Sequence, residues 1–437
     1  MHSLQRPLLD FNEFFALDES DRLVLVLETL NAEHLLRVLD GPHDAGPSGY
    51  PARVLWSALI AGVVYRLPAI AELCRQLRMN PYLRYVCGIT SAAHVPSQAT
   101  FSRFLDRLVA HADLVDACRD DLVRRFAALA PGFGENVAAD STDVHAYARG
   151  KKSGAADSDA TWSAKGSKKA TSKRSGKHSP PASDGQTPKE KKTSKDADKY
   201  WWFGYKLHLL IDATYEIPIA AIVTTAKDSD TTQLSPLLEM RDALLPDTPL
   251  KICLADPGYD STANICAITA RGGIPLIPLN PGNEKTPPGI TNTLGTPLCP
   301  DGLPMLYWGR DGHYLKYRCP EKAELFCCLR QHAATDHCSL SPYGLVVKLN
   351  MRDDPRRYVP VPRETMKFAR LYKGRSAIER VNGRLKDDLI LDEVRVRGQK
   401  KVTVRVGLNL LVMLAIAVAM AERNRLKDCR RLITCVA

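Results

Sequence analysis

The sequence lacks the features of secreted and membrane proteins. Its N-terminus, Met1–Arg6, does not have the charged and then apolar order of a signal peptide. The longest apolar run, Val406–Met420, is too short to span a bilayer and contains Asn409. The twelve cysteines are scattered through a long chain without a secretory signal, which argues against a disulfide framework. We therefore expect a cytoplasmic protein with no membrane partner, in which Val406–Met420 is a buried helix.

Positive charge is the main compositional signal. The chain has 60 Lys and Arg against 49 Asp and Glu, so its formal net charge is +11. This balance favours a polyanionic partner, although it does not identify one. The 437 residues are enough for one large domain with appendages or for two to three domains.

Residues 1–130 are predicted to form a helical N-terminal domain. Apolar residues recur with helical spacing in three stretches, Asp18–Leu39, Val54–Tyr65 and Ala69–Leu77. Pro96 or Ser97 starts a further helix. The polar residues on that helix are Gln98, Thr100, Arg103 and Arg107. A short helix after a turn with such residues is typical of a helix-turn-helix DNA reader, and an ordinary helical bundle is the alternative. We predict that Arg103 and Arg107 contact DNA.

The middle of the chain alternates strands and helices and predicts a mixed α/β sheet flanked by helices. The predicted strands are Asn136–His145, Trp201–Asp212, Ile217–Thr225, Leu250–Asp256 and Ile274–Leu279. The predicted helices are Ser229–Leu245 and Ser261–Arg271. The turn Asp212–Glu216 indicates that the second and third strands form a hairpin.

Two aspartates mark the ends of predicted strands. Asp140 lies at or near the end of the first strand, with Asp143 as a competing carboxylate, and either one could be an ordinary turn residue. Asp256 ends a buried strand, which Pro257 and Gly258 stop. A carboxylate at the carboxyl end of such a strand faces the usual ligand crevice of an α/β sheet. Asp256 is therefore a stronger site candidate than an arbitrary aspartate.

Two segments interrupt the alternation. Residues 149–199 are rich in Lys, Ser, Ala, Gly and Asp and have no apolar period, which predicts a low-complexity basic insertion. It is either a solvated loop or a loop that binds nucleic acid through its lysines. Residues 281–360 are predicted to be a β-rich insertion. This second insertion contains Cys299, Cys319, Cys327, Cys328, His332, His337 and Cys338. Such residues suit structural Zn²⁺, but no C-x2-C pair is present, so free thiols remain the alternative.

A stretch near the C-terminus combines charges with an apolar stripe. The charged and aromatic members are Tyr372, Arg375, Glu379 and Lys386, spaced Y-x2-R-x3-E-x6-K. The stripe that would dock a helix on the core is Ile378, Val381, Leu385 and Leu389. On a regular helix Glu379 and Lys386 share one face, where a carboxylate can bind a hard cation and a lysine can bind phosphate. Alternatively, Ser376 and Glu379 form a capping box at a helix start.

Asp140, Asp256 and Glu379 together suit two-metal phosphoryl transfer. In that chemistry two divalent ions roughly 3.5–4 Å apart activate the attacking oxygen and stabilise the leaving oxygen. Carboxylates from separate elements must converge to hold them.

The chain resembles a bacterial insertion-sequence DDE transposase of the Y-R-E-K subclass, whose four-residue pattern it matches completely. Asp140-Ser-Thr142 resembles the family's first aspartate motif, and Asp256-Pro-Gly-Tyr259 resembles its second, D-x-G-Y. Gly204–His208 resembles the strand between them, and Pro96–Phe104 resembles part of the N-terminal domain. The chain departs from many relatives at Ala226–Asp230, where their A-N-x-H-D run has a histidine that is absent here.

This resemblance implies a ribonuclease-H-like core over residues 131–280, a β-rich insertion over residues 281–360 and C-terminal catalytic helices over residues 361–437. It implies that Asp140, Asp256 and Glu379 are catalytic and bind two Mg²⁺, for which Mn²⁺ can substitute. It also implies that Tyr372, Arg375 and Lys386 contact the phosphates of the transposon end.

The function that the resemblance implies is DNA transposition. The enzyme would cleave terminal inverted repeats and join them to target DNA, as a homodimer in a nucleoid-associated synaptic complex. Two alternatives are a catalytically inactive DNA-binding regulator and a metal-dependent nuclease without strand transfer. Assays of Mg²⁺-dependent cleavage and of strand transfer separate the three hypotheses.

Overall fold

Helices form the N-terminal part of the chain, in a computed structural model that describes residues 22–41, 49–150, 157–165, 200–280, 291–323, 339, 341, 343–393 and 395–432. They are α1 (Arg22–Thr29), α2 (Glu33–Asp40), α3 (Ala52–Val64), α4 (Ile70–Met79), α5 (Pro81–Val86), α6 (Gln98–Ala110) and α7 (Ala112–Leu129). The helix start expected near Ser97 is confirmed. The Ser97 hydroxyl accepts a hydrogen bond of 3.2 Å from the Thr100 N–H and caps α6.

A mixed sheet follows, as predicted. Its strands are β1 (Asn136–His145), β2 (Thr161–Lys165), β3 (Tyr200–Asp212), β4 (Ile217–Thr225), β5 (Ile252–Ala255) and β6 (Ile274–Leu276). The strand order is β2-β3-β1-β5-β6, and β4 also pairs with β3. β3 is antiparallel to β1, β2 and β4, whereas β1, β5 and β6 are mutually parallel. The predicted β3–β4 hairpin is therefore confirmed.

Strand β2 was not expected, because it lies within the basic segment 149–199. Its backbone pairs with the first residues of β3, and Trp162 packs against Phe203 with ring centroids 5.6 Å apart. Pairing with a preformed strand provides the hydrogen bonds and apolar contact that the segment could not supply by itself. Residues 151–156 and 166–199 lie outside the described residues, so the prediction of a low-complexity insertion stands untested there.

Five further helices complete the core: α8 (Leu234–Leu244), α9 (Thr262–Ala270), α10 (Met366–Tyr372), α11 (Ser376–Gly383) and α12 (Gln399–Glu422). The predicted buried helix is α12, which packs against α1, α3, α6, α7 and β4. It is long and apolar enough to cross a bilayer, yet 89% of its most apolar window is buried inside the structure. Asn409 in its middle donates a hydrogen bond of 2.9 Å to the Leu389 carbonyl.

The β-rich insertion contains a separate antiparallel sheet in the order β7 (Leu306–Asp311), β8 (Tyr314–Arg318), β9 (Val346–Asn350). It has a small core of its own around Met305, Leu315 and Tyr317. Cys299 and Cys319 belong to the described part of this region. The other residues of the proposed zinc cluster lie outside the described residues, namely Cys327, Cys328, His332, His337 and Cys338.

Candidate active site

The register of two parallel strands brings Asp140 and Asp256 together. The pairing of β1 with β5 ends at Ala139 and Ala255, so the next residue of each strand is an aspartate. The sequence analysis placed Asp140 at or near the end of this strand. In the structure Asp140 lies in the middle of β1. β1 continues to His145 because β3 pairs with it over the whole of that length. The carboxyl-end crevice is therefore set by where β5 stops.

The chain directly after β5 holds the Asp256 side chain in place. Asp256 Oδ1 accepts a hydrogen bond of 2.9 Å from the Gly258 N–H, and Pro257–Tyr259 form a single 3₁₀ turn. A Cβ at position 258 would lie only 2.9 Å from that same oxygen. The Pro-Gly pair thus both ends the strand and leaves space for the carboxylate.

Arg375 links the third carboxylate to the first. It donates a hydrogen bond of 2.6 Å to Glu379 Oε1, and its other terminal nitrogen lies 3.5 Å from Asp140 Oδ2. Burial alone would lower the pKa of Arg375, but Asp140 and Glu379 outweigh it and raise that pKa. The Arg375 side chain is 18% exposed and that of Glu379 is 60% exposed. A fixed positive charge therefore lies between two candidate metal ligands.

The capping box, given above as an alternative, does not form. Lys373–Arg375 form a 3₁₀ turn that joins α10 to α11 without a break, so Ser376 has helical angles and is not an N-cap. Its hydroxyl donates to the Lys373 carbonyl at 3.0 Å, and Glu379 pairs with Arg375 instead. Tyr372 is the last residue of α10. Its hydroxyl donates to the Ala255 carbonyl at 3.4 Å.

Lys386 contacts two aspartates, Asp143 and Asp392. After Gly383 the helix changes to a π-helical turn, Arg384–Asp388, so the shared face predicted from regular helical spacing does not apply. Lys386 Nζ lies 3.3 Å from Asp143 Oδ1 and 3.0 Å from Asp392 Oδ1. The two competing aspartates are thus separated: Asp140 pairs with Arg375 and Asp143 pairs with Lys386.

Arg103 and Arg107 lie on the exposed side of α6. The Arg107 guanidinium lies over the Phe104 ring, 5.9 Å from its centroid. Both are available to a ligand in solution, as the prediction of DNA contact requires.

A polar cluster next to the aspartates was missed by the sequence analysis. Lys206 Nζ donates a hydrogen bond of 2.9 Å to Asp230 Oδ1, and the Tyr259 side chain is fully buried close by. All three belong to motifs quoted above, the run around Gly204–His208, the run Ala226–Asp230 and the D-x-G-Y motif. Their presence in those motifs was the one available signal.

The donor chemistry of the three carboxylates suits a divalent cation, since Mg²⁺ prefers oxygen ligands. Among the described residues, however, no three His, Cys, Asp or Glu side chains are grouped closely enough to hold a metal ion. The convergence expected from the sequence is therefore partial. Asp140 and Asp256 are neighbours, and Glu379 is joined to Asp140 through the Arg375 guanidinium.

Comparison with known proteins identifies the family of the chain. The family model Transposase DDE domain matches residues 131–415, and the model Transposase domain (DUF772) matches residues 12–107. No curated protein sequence matches the chain. A cryo-EM structure of a piggyBac transposase synaptic complex with hairpin DNA is similar over 97% of this chain and 79% of that chain, with 9% identity and a TM-score of 0.35. That likeness is too weak to support an assignment. Because the first model covers well over half of the sequence, the chain belongs to the DDE transposase family of DNA-cleaving and strand-transferring enzymes.

Proposed function

We propose that Asp140, Asp256 and Glu379 are the catalytic residues of this DNA transposase and that they hold two Mg²⁺, which Mn²⁺ can replace. The observation that carries the proposal is the β1–β5 register, which sets Asp140 beside Asp256. The contact of Arg375 with both Asp140 and Glu379 supports including Glu379. Bound divalent ions would supply charge stabilisation and an activated water at the scissile phosphodiester.

The residues of the chain would prepare the site for that chemistry. Gly258 orients Asp256 through its backbone N–H, and Tyr372 packs the end of α10 against the end of β5. Arg375 supplies a positive charge between Asp140 and Glu379. On binding, it would turn from the carboxylates to a DNA phosphate, for which a guanidinium is a strong donor.

We further propose that Tyr372 and Lys386 contact the transposon end and that Arg103 and Arg107 contact the duplex through α6. The Y-R-E-K subclass, a homodimeric synaptic complex and a nucleoid-associated cytoplasmic location belong to the same proposal. What supports them is the complete four-residue pattern and the net charge of +11.

Structural Zn²⁺ in the β-rich insertion is a secondary proposal. Cys299 and Cys319 are both followed by proline and both line one cavity of that insertion. Metal analysis of the purified protein, with Cys299→Ser as the comparison, tests it: one bound zinc in the parent chain and none in the variant is the expected result.

The Asp256→Ala substitution tests the main proposal. It removes a carboxylate but no buried apolar contact, so we expect Mg²⁺-dependent cleavage of terminal inverted repeats to fall roughly 10³-fold or more, with end binding intact. Asp247→Ala, in the exposed loop before β5, is the matched control and should cleave normally. Cleavage by Asp256→Ala at the parent rate would refute the assignment.

A further inference from the structure

Tyr259 has a hydroxyl without a visible structural purpose. The residue is 0% exposed, and its hydroxyl is among the described buried polar atoms that have no hydrogen-bond partner. Burying an unpaired hydroxyl is unfavourable, and a phenylalanine would fill the same space without that cost. An unpaired group of this kind calls for an explanation, and one explanation is a ligand.

The surroundings of the hydroxyl are those of the candidate active site. Tyr259 ends the 3₁₀ turn that begins after Asp256, and its N–H donates to the Asp256 carbonyl at 3.1 Å. Burial raises the pKa of Tyr259 well above its usual value, with further contributions from the charges of Asp230, Asp140 and Asp256. The charge of Arg375 acts in the opposite direction and lowers the pKa of Tyr259. The phenol therefore lies within electrostatic range of Asp140 and Asp256.

The backbone at Tyr259 is held by neighbouring turns. Asn264 donates hydrogen bonds to the Tyr259 carbonyl at 2.8 Å and to the Thr231 carbonyl at 3.0 Å. Thr231 in turn donates to the Gly258 carbonyl at 2.7 Å. The turn after β5 and the turn that carries Asp230 are thus tied together, which limits the movement of the ring.

We propose that Tyr259 is a positioning residue of the Asp140–Asp256 site, whose hydroxyl donates a hydrogen bond to an oxygen atom that enters with the divalent ion or with DNA. That oxygen belongs to a water held with the cation or to a phosphate of the DNA. A phenol donor suits either one, because both are electron-rich oxygens. The carboxylates around the phenol, Asp140, Asp230 and Asp256, can only accept hydrogen bonds when they are ionised. This inference rests on the proposed role of Asp140 and Asp256.

Tyr259→Phe tests the proposal because it removes one oxygen atom and leaves the ring. Tyr205→Phe is the matched control, since Tyr205 is equally buried but its hydroxyl already donates to Asp157 Oδ1 at 2.7 Å. Three quantities are measured on full-length protein: Mn²⁺ binding by electron paramagnetic resonance, cleavage of transposon ends as a function of Mg²⁺ concentration, and thermal unfolding.

For Tyr259→Phe we expect an unchanged or higher Tm and cleavage reduced about 10-fold or more. If the acceptor is a cation-held water, Mn²⁺ binds at least about 3-fold more weakly without DNA. If it is a phosphate oxygen, Mn²⁺ binding without DNA is unchanged and the loss appears only with DNA present. Tyr205→Phe should lower Tm and leave metal binding and the Mg²⁺ profile as in the parent chain.

The proposal is overturned if Tyr259→Phe cleaves and binds Mn²⁺ like the parent chain, or if it changes only Tm. That outcome leaves the catalytic assignment standing as long as Asp256→Ala is inactive. Parent-like cleavage by Asp256→Ala would instead remove the assignment itself, so the two failures are distinguishable.

Discussion

At the scale of single residues, the site is organised around the charge of Arg375. Its guanidinium contacts Asp140 and Glu379, while its Nε is buried without a partner among the described residues. An arginine left partly unsatisfied between two carboxylates is suited to exchange partners. The two ion pairs therefore offset part of the negative charge of Asp140 and Glu379.

Arg375→Gln is expected to separate metal binding from DNA binding. Without the guanidinium the carboxylates repel each other, so a divalent cation should bind more tightly in the absence of DNA, by about 3-fold or more. Binding of transposon ends should weaken, and the salt dependence of that binding should fall by roughly one phosphate contact. Mn²⁺ titration and DNA binding over a range of salt concentrations measure both effects.

The control for this substitution is Arg370→Gln, which removes an exposed arginine one turn earlier on α10. It should leave Mn²⁺ affinity unchanged. An Mn²⁺ affinity in Arg375→Gln no higher than that of the parent chain would contradict the idea that this arginine competes with metal.

At the scale of elements, Glu216 connects the β3–β4 turn to the helical segment Ser376–Asp388 and to the C-terminal segment. Its carboxylate is 3% exposed and lies 2.7 Å from Arg380, 3.2 Å from Arg384 and 3.1 Å from Arg430. Burial lowers the pKa of Arg384, and Glu216 partly offsets that effect. One carboxylate thus holds α11, which carries Glu379, against the sheet that carries Asp140.

Glu216→Gln should destabilise the fold because it leaves the poorly exposed Arg384 without its counter-ion. We expect the free energy of unfolding to fall by about 3 kcal/mol, as measured by urea denaturation. Glu239→Gln, on the exposed side of α8, is the comparison and should change stability by less than about 0.5 kcal/mol. Equal stabilities of the two variants would show that the ion pairs of Glu216 with the three arginines do not stabilise the fold.

At the scale of the whole molecule, the basic segment 166–199 connects two strands that are already paired. Lys165 and Tyr200 face each other in the β2–β3 register, so a turn of a few residues is long enough to join them. The folded sheet does not require the long connection. We propose that its lysine clusters, Lys168-Lys169, Lys173-Arg174 and Lys191-Lys192, serve DNA binding.

Replacement of residues 166–199 by a short Asn-Gly turn should therefore leave Tm within a few degrees of the parent value. We expect the affinity for DNA to fall and its dependence on salt to become shallower, because fewer phosphates are neutralised. A Gly-Ser segment of the original length separates the effect of charge from that of length. If that neutral segment restores parent affinity, the lysines have no part in DNA binding.

Local sequence patterns predicted much of this molecule. The alternation of apolar periods indicated the strands and helices of the core, and Pro257-Gly258 indicated that a buried strand stops at Asp256. The long helix α12 was recognisable from its apolar run. These features depend on residues that are neighbours in the chain, where the spacing of apolar residues and the backbone limits of proline and glycine act directly.

Features that depend on pairing could not be predicted in this way. β1 extends past Asp140 because β3 lies beside it, and β2 exists because β3 offers it an edge. Ser376 does not cap a helix, because α10 continues through a 3₁₀ turn into α11. Lys386 contacts Asp143 from a π-helical turn, which no spacing rule indicates.

The sequence by itself determined the order of the secondary structure elements and the identity of the three candidate carboxylates, since both are recorded in short motifs. Only the tertiary structure decided how those carboxylates are arranged relative to one another. Arg375 and Asp140 are 235 positions apart, and their contact follows from strand register, from helix docking and from the balance between burial and charge. None of these is a property of neighbouring residues, which is why the buried Tyr259 hydroxyl became visible only in the folded chain.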